Sequence, residues 1–458
     1  MPALMIRRLS ALLLRGIARG RAYAPLMRVY AWVPAPVRAG IRRRLTWFAG
    51  GMRRRPVVAV RANDAKTIAP ADWRPRPQHH GAGVNLYGYV RGGFGLAENM
   101  RLYARALLSV GYPTTLLDAG IPIPGRMLDD SLAPWIGDTP AHPVNLCFVN
   151  PDQFPAMREH AGSEAFTKRY TIGFWLWELE RIPEAWLPVL DLVDEIWVPT
   201  SFVQQAFRKV TRKPVTCVPM AIDVDPGLAL GRRDLGLEEG CFTFLFSFDF
   251  HSYFARKNPM AVIDAFCAAF PPTRGDVRLV IKSINGERFP DQLAQLASMT
   301  ARDRRIMLHD GFLDRGEMFA FLACADAYVS LHRAEGIGLG LAESMYLGKP
   351  VIATGYSGNL DFMSTANSCL VDFHMVDVQA GEYAFTEGQQ WAEPDVEAAA
   401  AHMRRLADHP EQARALGAAA AASVRERLSR ARCAEAAVAR LREIAALRTT
   451  DTAQETAI

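Results

Sequence analysis

Short apolar runs recur along the chain from residue 83 onward, each closing on polar residues and most followed by a helical pattern. GVNLYGYV (83–90), TTLLD (114–118), VNLCFVN (144–150), TIGFWLW (171–177), DEIWVPT (194–200) and PVTCVPM (214–220) predict buried strands. A helix is expected over 96–110, stopped by Gly111, and another from Ser201 through SFVQQAFRKV. The second half repeats the scheme. CFTFLFSFDF (241–250) is apolar almost throughout, as a strand covered on both faces must be. A helix (MAVIDAFCAAF), strands over 276–284 and 304–312, the strand AYVSL, a loop, the helix LGLAESMYL closed by Gly348 and the strand PVIAT follow. The alternation predicts an α/β protein of two doubly wound Rossmann-like domains facing a cleft, at 81–220 and 221–430. Residues 395–444 are Ala-rich with helical Arg/Glu spacing, and 447–458 are expected to fray.

Composition agrees with this and adds an asymmetry. Half of the 458 residues are apolar and 22% are charged, which excludes a disordered chain, a fibrous repeat or a small disulfide scaffold. The net charge is +5, but residues 1–63 hold fourteen Arg and no Asp, Glu, Lys or His, so the remainder is acidic. Arg8, Arg15 and Arg19 share one helix face, with Ile6, Leu9, Leu13 and Ile17 opposite. That is the pattern of a basic amphipathic extension lying in an anionic membrane interface; a disordered arginine-rich tail or a mis-chosen start is the other reading. A Pro- and Arg-rich linker covers 64–80. Seven dispersed Cys without a C-x-x-C pair predict reduced thiols and no zinc site, and no run approaches a membrane span.

Candidate chemistry gathers where strands end. The loop after the first strand carries Gly92 and Gly93, which would let backbone amides approach a ligand or simply allow a tight turn. Asn150, Asp152 and Glu178 follow later strands; Trp175 and Trp177 would desolvate Glu178 and raise its pKa, or Glu178 would only cap its loop. Arg256, Lys257 and Lys282 are cations at strand ends, suited to a pyrophosphate or merely surface charge. In HRAEGIGLGLAESMYL, Glu335 precedes a helix and Glu343 lies on it, with Gly336 and Gly338 at the helix start, where amides cradle anions.

E-x7-E within HRAEGIGLGLAESMYLGKPVIAT, preceded by RKNP, resembles family 4 of the retaining glycosyltransferases, the glycosyl transferases group 1, of GT-B fold. The resemblance spans most of 83–430 and is strongest at 241–260 and 304–362. It implies an acceptor domain at 81–220, a nucleotide-sugar donor domain at 221–430 and a last helix at 431–458 that could cross back; a solvated helix pair is the alternative. By position, Glu335 resembles the Glu contacting the donor sugar, Glu343 the Glu holding the ribose, and Lys257 the Lys stabilising the diphosphate. His251 stands where many members have Arg, so Arg256 is the expected second phosphate cation. Gly336, Ile337, Gly338, Lys282, Gly311 and Asn359 are implied around the donor, and Gly92, Gly93, Asn150, Asp152 and Glu178 line the acceptor side. The usual N-domain His is absent. TGYSGNLDF and GQQWAEPDV resemble a subgroup acting on cell-surface polysaccharides.

The resemblance implies transfer of a sugar from a nucleoside-diphosphate sugar to a lipid-linked or saccharide hydroxyl, with no metal, cofactor or nucleic acid. It further implies a cytoplasmic enzyme held on the inner face of the cell membrane by its extension. An epimerase or phosphorylase on the same fold, or a non-catalytic scaffold binding sugar nucleotides, are the alternatives.

Overall fold

The computed structural model describes residues 83–122, 129–225 and 230–455, all within one compact unit, Pro75–Ile458. The extension 1–63 and the linker 64–80 lie outside the described residues. Strands β1 (Val84–Gly88), β2 (Thr114–Asp118), β3 (Val144–Cys147), β4 (Tyr170–Phe174), β5 (Glu195–Val198) and β6 (Val215–Cys217) form a parallel sheet ordered β2-β1-β3-β4-β5-β6. Helices α1 (Gly95–Ser109), α2 (Phe154–Ala161) and α3 (Ser201–Arg208) pack on it. A second parallel sheet joins β7 (Phe242–Asp249), β8 (Val277–Ile284), β9 (Ile306–Asp310), β10 (Ala327–Ser330), β11 (Val351–Thr354) and β12 (Cys369–Val371) in the order β12-β11-β10-β7-β8-β9. Its helices are α4 (Phe254–Lys257), α5 (Pro259–Ala269), α6 (Pro290–Thr300), α7 (Arg315–Cys324) and α8 (Leu339–Tyr346).

Strand order reverses between β1 and β3 in the first sheet and between β7 and β10 in the second. Loops leaving such a reversal diverge to opposite faces, so a crevice opens outside the carboxyl ends of those strands. The alternation of side chains fixes the layers. Phe244, Phe246 and Phe248 of β7 join α5 residues Val262 and Phe266 in one core cluster, whereas Leu245 between them joins another. Both faces of this central strand are therefore dry, and its apolar run has no polar alternation to show.

Beyond the second sheet, β13 (Phe373–Asp377) and β14 (Gln390–Pro394) form an antiparallel hairpin that the apolar pattern does not announce. Helices α9 (Val396–Asp408), α10 (Pro410–Arg427) and α11 (Arg430–Glu455) follow. Helix α11 returns to the first domain: Cys433, Ala437, Leu441 and Ile444 share a core cluster with Met100, Tyr103 and Leu107 of α1. The i, i+4 spacing of 433, 437 and 441 places them on one face, where the small Cys433 and Ala437 allow close approach to α1. The helix also runs on to Glu455 instead of fraying at 447, since the sequence up to there holds neither Pro nor Gly to stop it.

One ion pair fastens this return. Arg440 of α11 donates to both carboxylate oxygens of Glu195 in β5, Nη2 at 2.8 Å and Nε at 3.0 and 3.2 Å. Glu195 is fully buried and accepts further bonds from Tyr170, Trp197 and Thr216. Removing the cation leaves a buried charge with neutral donors only, a loss of about 3 kcal/mol, the lower end of what broken buried pairs cost. Arg440→Met should lower the urea unfolding midpoint accordingly, and Arg440→Met paired with Glu195→Gln should recover part of the loss.

Candidate active site

The carboxyl ends of β1, β3, β7 and β10 enclose a cavity of about 840 Å3. Gly93, Asn150, Asp152 and Glu178 line it from the first domain; Arg256, Lys257, Gly311, Glu335, Gly336, Ile337 and Gly338 line it from the second. Eleven of the residues singled out from the sequence thus meet in one space, while Gly92, Lys282, Glu343 and Asn359 stand behind its wall.

At the centre of the wall, the Lys257 ammonium donates to the Glu335 carboxylate. Arg256 Nη1 donates to the other Glu335 oxygen at 3.2 Å and to the Ala334 carbonyl at 2.8 Å, and its Nε to the Ser252 carbonyl at 3.1 Å. Burial by itself would raise the Glu335 carboxyl and weaken the Lys257 ammonium. Their contact opposes both, and Lys257 with Arg256 holds the carboxyl at about 2. The two cations occupy the single turn α4, which ends at Asn258 in a left-handed conformation (φ 53°); Asn258 also caps α5 through the Ala261 amide, with Pro259 at its first position.

Helix α8 begins at Gly338, whose φ of 85° suits glycine, and no side chain among the described residues caps it. Gly338, Leu339 and Gly340 line the cavity, so the positive helix end and its amides face the space beside Lys257. Together the cleft offers a cation, unshared amides and an ionised carboxylate, a set matched to an anion joined to a polyol.

Residues 250–409 match the family model of the glycosyl transferases group 1. The chain as a whole is similar in structure to a glycosyltransferase from Rickettsia africae, at 13% identity and TM-score 0.58, covering 80% of this chain and 99% of that one. HepE from Anabaena, solved with UDP and glucose, aligns at 14% identity and TM-score 0.56 over 79% of this chain and 100% of its own. Sucrose-phosphate synthase from Thermosynechococcus elongatus aligns at 16% identity and TM-score 0.56, over 80% and 100%. No curated protein matches the sequence. The fold is GT-B.

The loop that carries Glu335 is braced from below. The Glu335 amide donates to the Ser357 hydroxyl oxygen at 2.8 Å, and the Glu335 carbonyl accepts the Gly358 amide at 2.9 Å. A Cβ at Gly358 would lie 2.2 Å from the Gly336 carbonyl, so only glycine permits this approach. The fully buried His332 lies 3.2 Å from Asn359 Oδ1 and 3.1 Å from Ser330 Oγ. Because the Asn359 amide donates to the Thr354 carbonyl, its Oδ1 is the acceptor; His332 therefore carries its proton on Nε2 and accepts from Ser330 at Nδ1. Asn359 thus acts on the cavity wall through this network.

The remaining residues take positions the spacing could not give. Lys282 donates to the Ser283 and Gly311 carbonyls and pins the β8 and β9 ends together, away from the cavity. Glu343 is buried against Arg315 at 2.8 Å. The Gly92 carbonyl accepts from Arg101 at 2.8 Å, which fixes the glycine loop onto α1. Asn150 Oδ1 accepts the Leu176 amide at 3.0 Å, and Asp152 is exposed at the mouth. Glu178 does not sit between two tryptophans. Trp175 packs into the core on Phe154 and Phe207, and the carboxylate instead accepts from Tyr383 and lies 3.7 Å from Arg256. Tyr383, on the β13–β14 loop, Arg315, Glu98 and His332 escaped the sequence reading. HRAEG showed the histidine, but nothing in the spacing marked it as the brace.

Burial holds the His332 imidazole down at about 4, so it stays neutral when folded. The unfolded chain binds that proton near pH 6.5, hence acidification favours unfolding between pH 6.5 and 4 by up to about 3 kcal/mol. Urea midpoints measured across that range should fall steeply for the native chain, and the slope should flatten in His332→Asn.

Proposed function

We propose that the chain transfers a glycosyl group from a nucleoside-diphosphate sugar to a hydroxyl, with retention at the anomeric carbon. The Lys257–Glu335 pair beside the uncapped start of α8 is the observation that carries this reading. The diphosphate lies against the amides of Gly336, Ile337 and Gly338, with Lys257 sharing its ammonium between a phosphate oxygen and Glu335. Glu335 accepts hydroxyls of the sugar and orients it; Glu343, behind the wall against Arg315, accepts the ribose diol once the wall in front of it yields. Arg256 is already committed to Glu335, Ala334 and Ser252, so it acts by keeping Glu335 ionised more than by holding phosphate.

In the reaction the bond between the anomeric carbon and the diphosphate oxygen breaks, and its electron pair leaves with the diphosphate. The acceptor oxygen bonds to the same face of that carbon and passes its proton to a phosphate oxygen. Charge grows on the leaving diphosphate, where Lys257 and the helix-end amides stabilise it without a metal ion in this scheme. Among the described residues no cluster of His, Cys, Asp or Glu could hold a metal, and no helix is long and apolar enough to cross a membrane. The acceptor enters past Asn150, Asp152 and Glu178. A lipid-linked or saccharide acceptor of cell-surface polysaccharide synthesis suits a basic extension that holds the enzyme on the inner face of an anionic membrane.

A thermal-shift panel of UDP, GDP, ADP and their sugars should raise the melting temperature for one base, and failure with all of them would overturn the donor reading. Lys257→Ala should lower kcat by about 100- to 1,000-fold, the range for losing one donor to a developing oxyanion; unchanged turnover sinks the scheme. Deleting 1–63 should leave nucleotide binding intact and move the protein out of the membrane fraction.

A further inference from the structure

Each carboxylate of the E-x7-E pair is tied through an arginine to a glutamate of the opposite domain. At one end of the donor wall, Arg315 Nη2 lies 2.8 Å from Glu343 and 3.3 Å from Glu98 of α1. At the other, Arg256 contacts Glu335 at 3.2 Å and faces Glu178 of the first domain at 3.7 Å. One guanidinium therefore spans two carboxylates, and two domains, at both ends of the site. We propose that Glu98–Arg315–Glu343 and Glu178–Arg256–Glu335 are two clips that couple donor binding to closure of the domains, with Glu98 and Glu178 as positioning residues. The proposal rests on the donor reading above.

The geometry explains why these links respond to closure. A guanidinium presents donors in a fixed fork, so it can serve two carboxylates at once only while both are within reach. Arg315 is held in place by stacking 4.4 Å over the Phe319 ring of its own helix. If the first domain swings away, Arg315 keeps Glu343 and loses Glu98. Glu98 is nearly fully buried; burial would lift its carboxyl, and Arg315 foremost, with Arg101 and Arg105, pulls it below the ordinary range. Burial lifts Glu343, which Arg315 opposes. Glu98 is therefore best satisfied in the closed arrangement, where Arg315 bridges it to Glu343. Tyr383 adds a second hold on Glu178 by donating to it from the hairpin loop of the second domain. A ligand that binds the closed arrangement better must favour closure by the same factor that closure favours the ligand.

The full-length chain, titrated with whichever of UDP, GDP or ADP most raises its melting temperature, supplies the test. X-ray scattering should show the parent becoming more compact on adding that nucleotide. Glu98→Gln should bind it about tenfold more weakly and lose most of the compaction. Arg315→Lys keeps a cation beside Glu343 and sits at a half-exposed position, so it should fold and show the same two losses. Glu178→Gln should add to Glu98→Gln. Parent-like affinity and compaction in Glu98→Gln and Arg315→Lys would overturn the clips while leaving the donor site standing. So would variants whose ligand-free melting temperature drops but whose nucleotide-induced shift is unchanged. A parent that binds none of the three nucleotides overturns the donor reading and the clips together.

Discussion

A carboxylate placed between two sheets, out of water, stays ionised only if cations come with it. Glu335 meets that condition through Lys257 and Arg256, and much of the site's arrangement follows from it. The two cations must lie on the turn immediately after β7, because a longer connection would not hold them rigidly against the β10 loop. That turn must then close at once, which Asn258 achieves by taking a left-handed conformation and capping α5. The β10 loop, in turn, needs backing that adds no further charge. Neutral His332, Asn359 and Ser357 supply it through hydrogen bonds.

The same constraint governs the contact between domains. The interface joins aromatic packing, with Trp177 5.5 Å from Tyr383 and Phe202 5.5 Å from Tyr356, to a set of polar points. Thr200 donates to the Gly336 carbonyl at 2.8 Å, and the Ser201 amide and hydroxyl both donate to Asp361, at 2.7 and 2.6 Å. Asp361 so caps helix α3 of the other domain, where a carboxylate favours the positive helix end. Arg181 reaches the Gly388 carbonyl, and Gln389 returns a bond to the Arg181 carbonyl. The polar contacts are directional and fix the register in which the aromatic side chains meet. Helix α11 is likewise anchored, to α1 by buried apolar residues and to β5 by Arg440 on Glu195.

How far the sequence disclosed this depends on the range of each interaction. The strands were legible because burial on both faces writes itself into consecutive residues, as in 242–249. Glu335 and Glu343 were legible because a helix start fixes their spacing locally. Arg256 and Lys257 could be placed beside a strand end, but their division of labour could not be read. Only the fold shows Arg256 spent on Ala334, Ser252 and Glu335 with Lys257 turned to the cavity. Lys282 looked equivalent to them by position, yet the register of β8 against β9 turns its ammonium to the Gly311 carbonyl. Glu98, Arg315 and Tyr383 were out of reach altogether. Each matters through partners more than a hundred residues away, and no local pattern records such a partner.

The charge of the cavity sharpens what kind of ligand it can take. Asp152, Glu178, Asp249, Glu287 and Glu335 line it against Arg256 and Lys257. A space with more carboxylates than cations would repel a free anion on net charge. It can accept one only where local dipoles outweigh the sum, and the start of α8 beside Lys257 is that place. Elsewhere the carboxylates keep lone pairs beyond those taken by Tyr383, Asn285 and the two cations, and can accept further donors, which a phosphate without protons cannot provide and the hydroxyls of sugar and ribose can. A ligand with its charge concentrated at one point and hydroxyls on both sides of it answers the whole surface. This is why the anion site and the acid-rich walls are better understood as one site than as two competing ones.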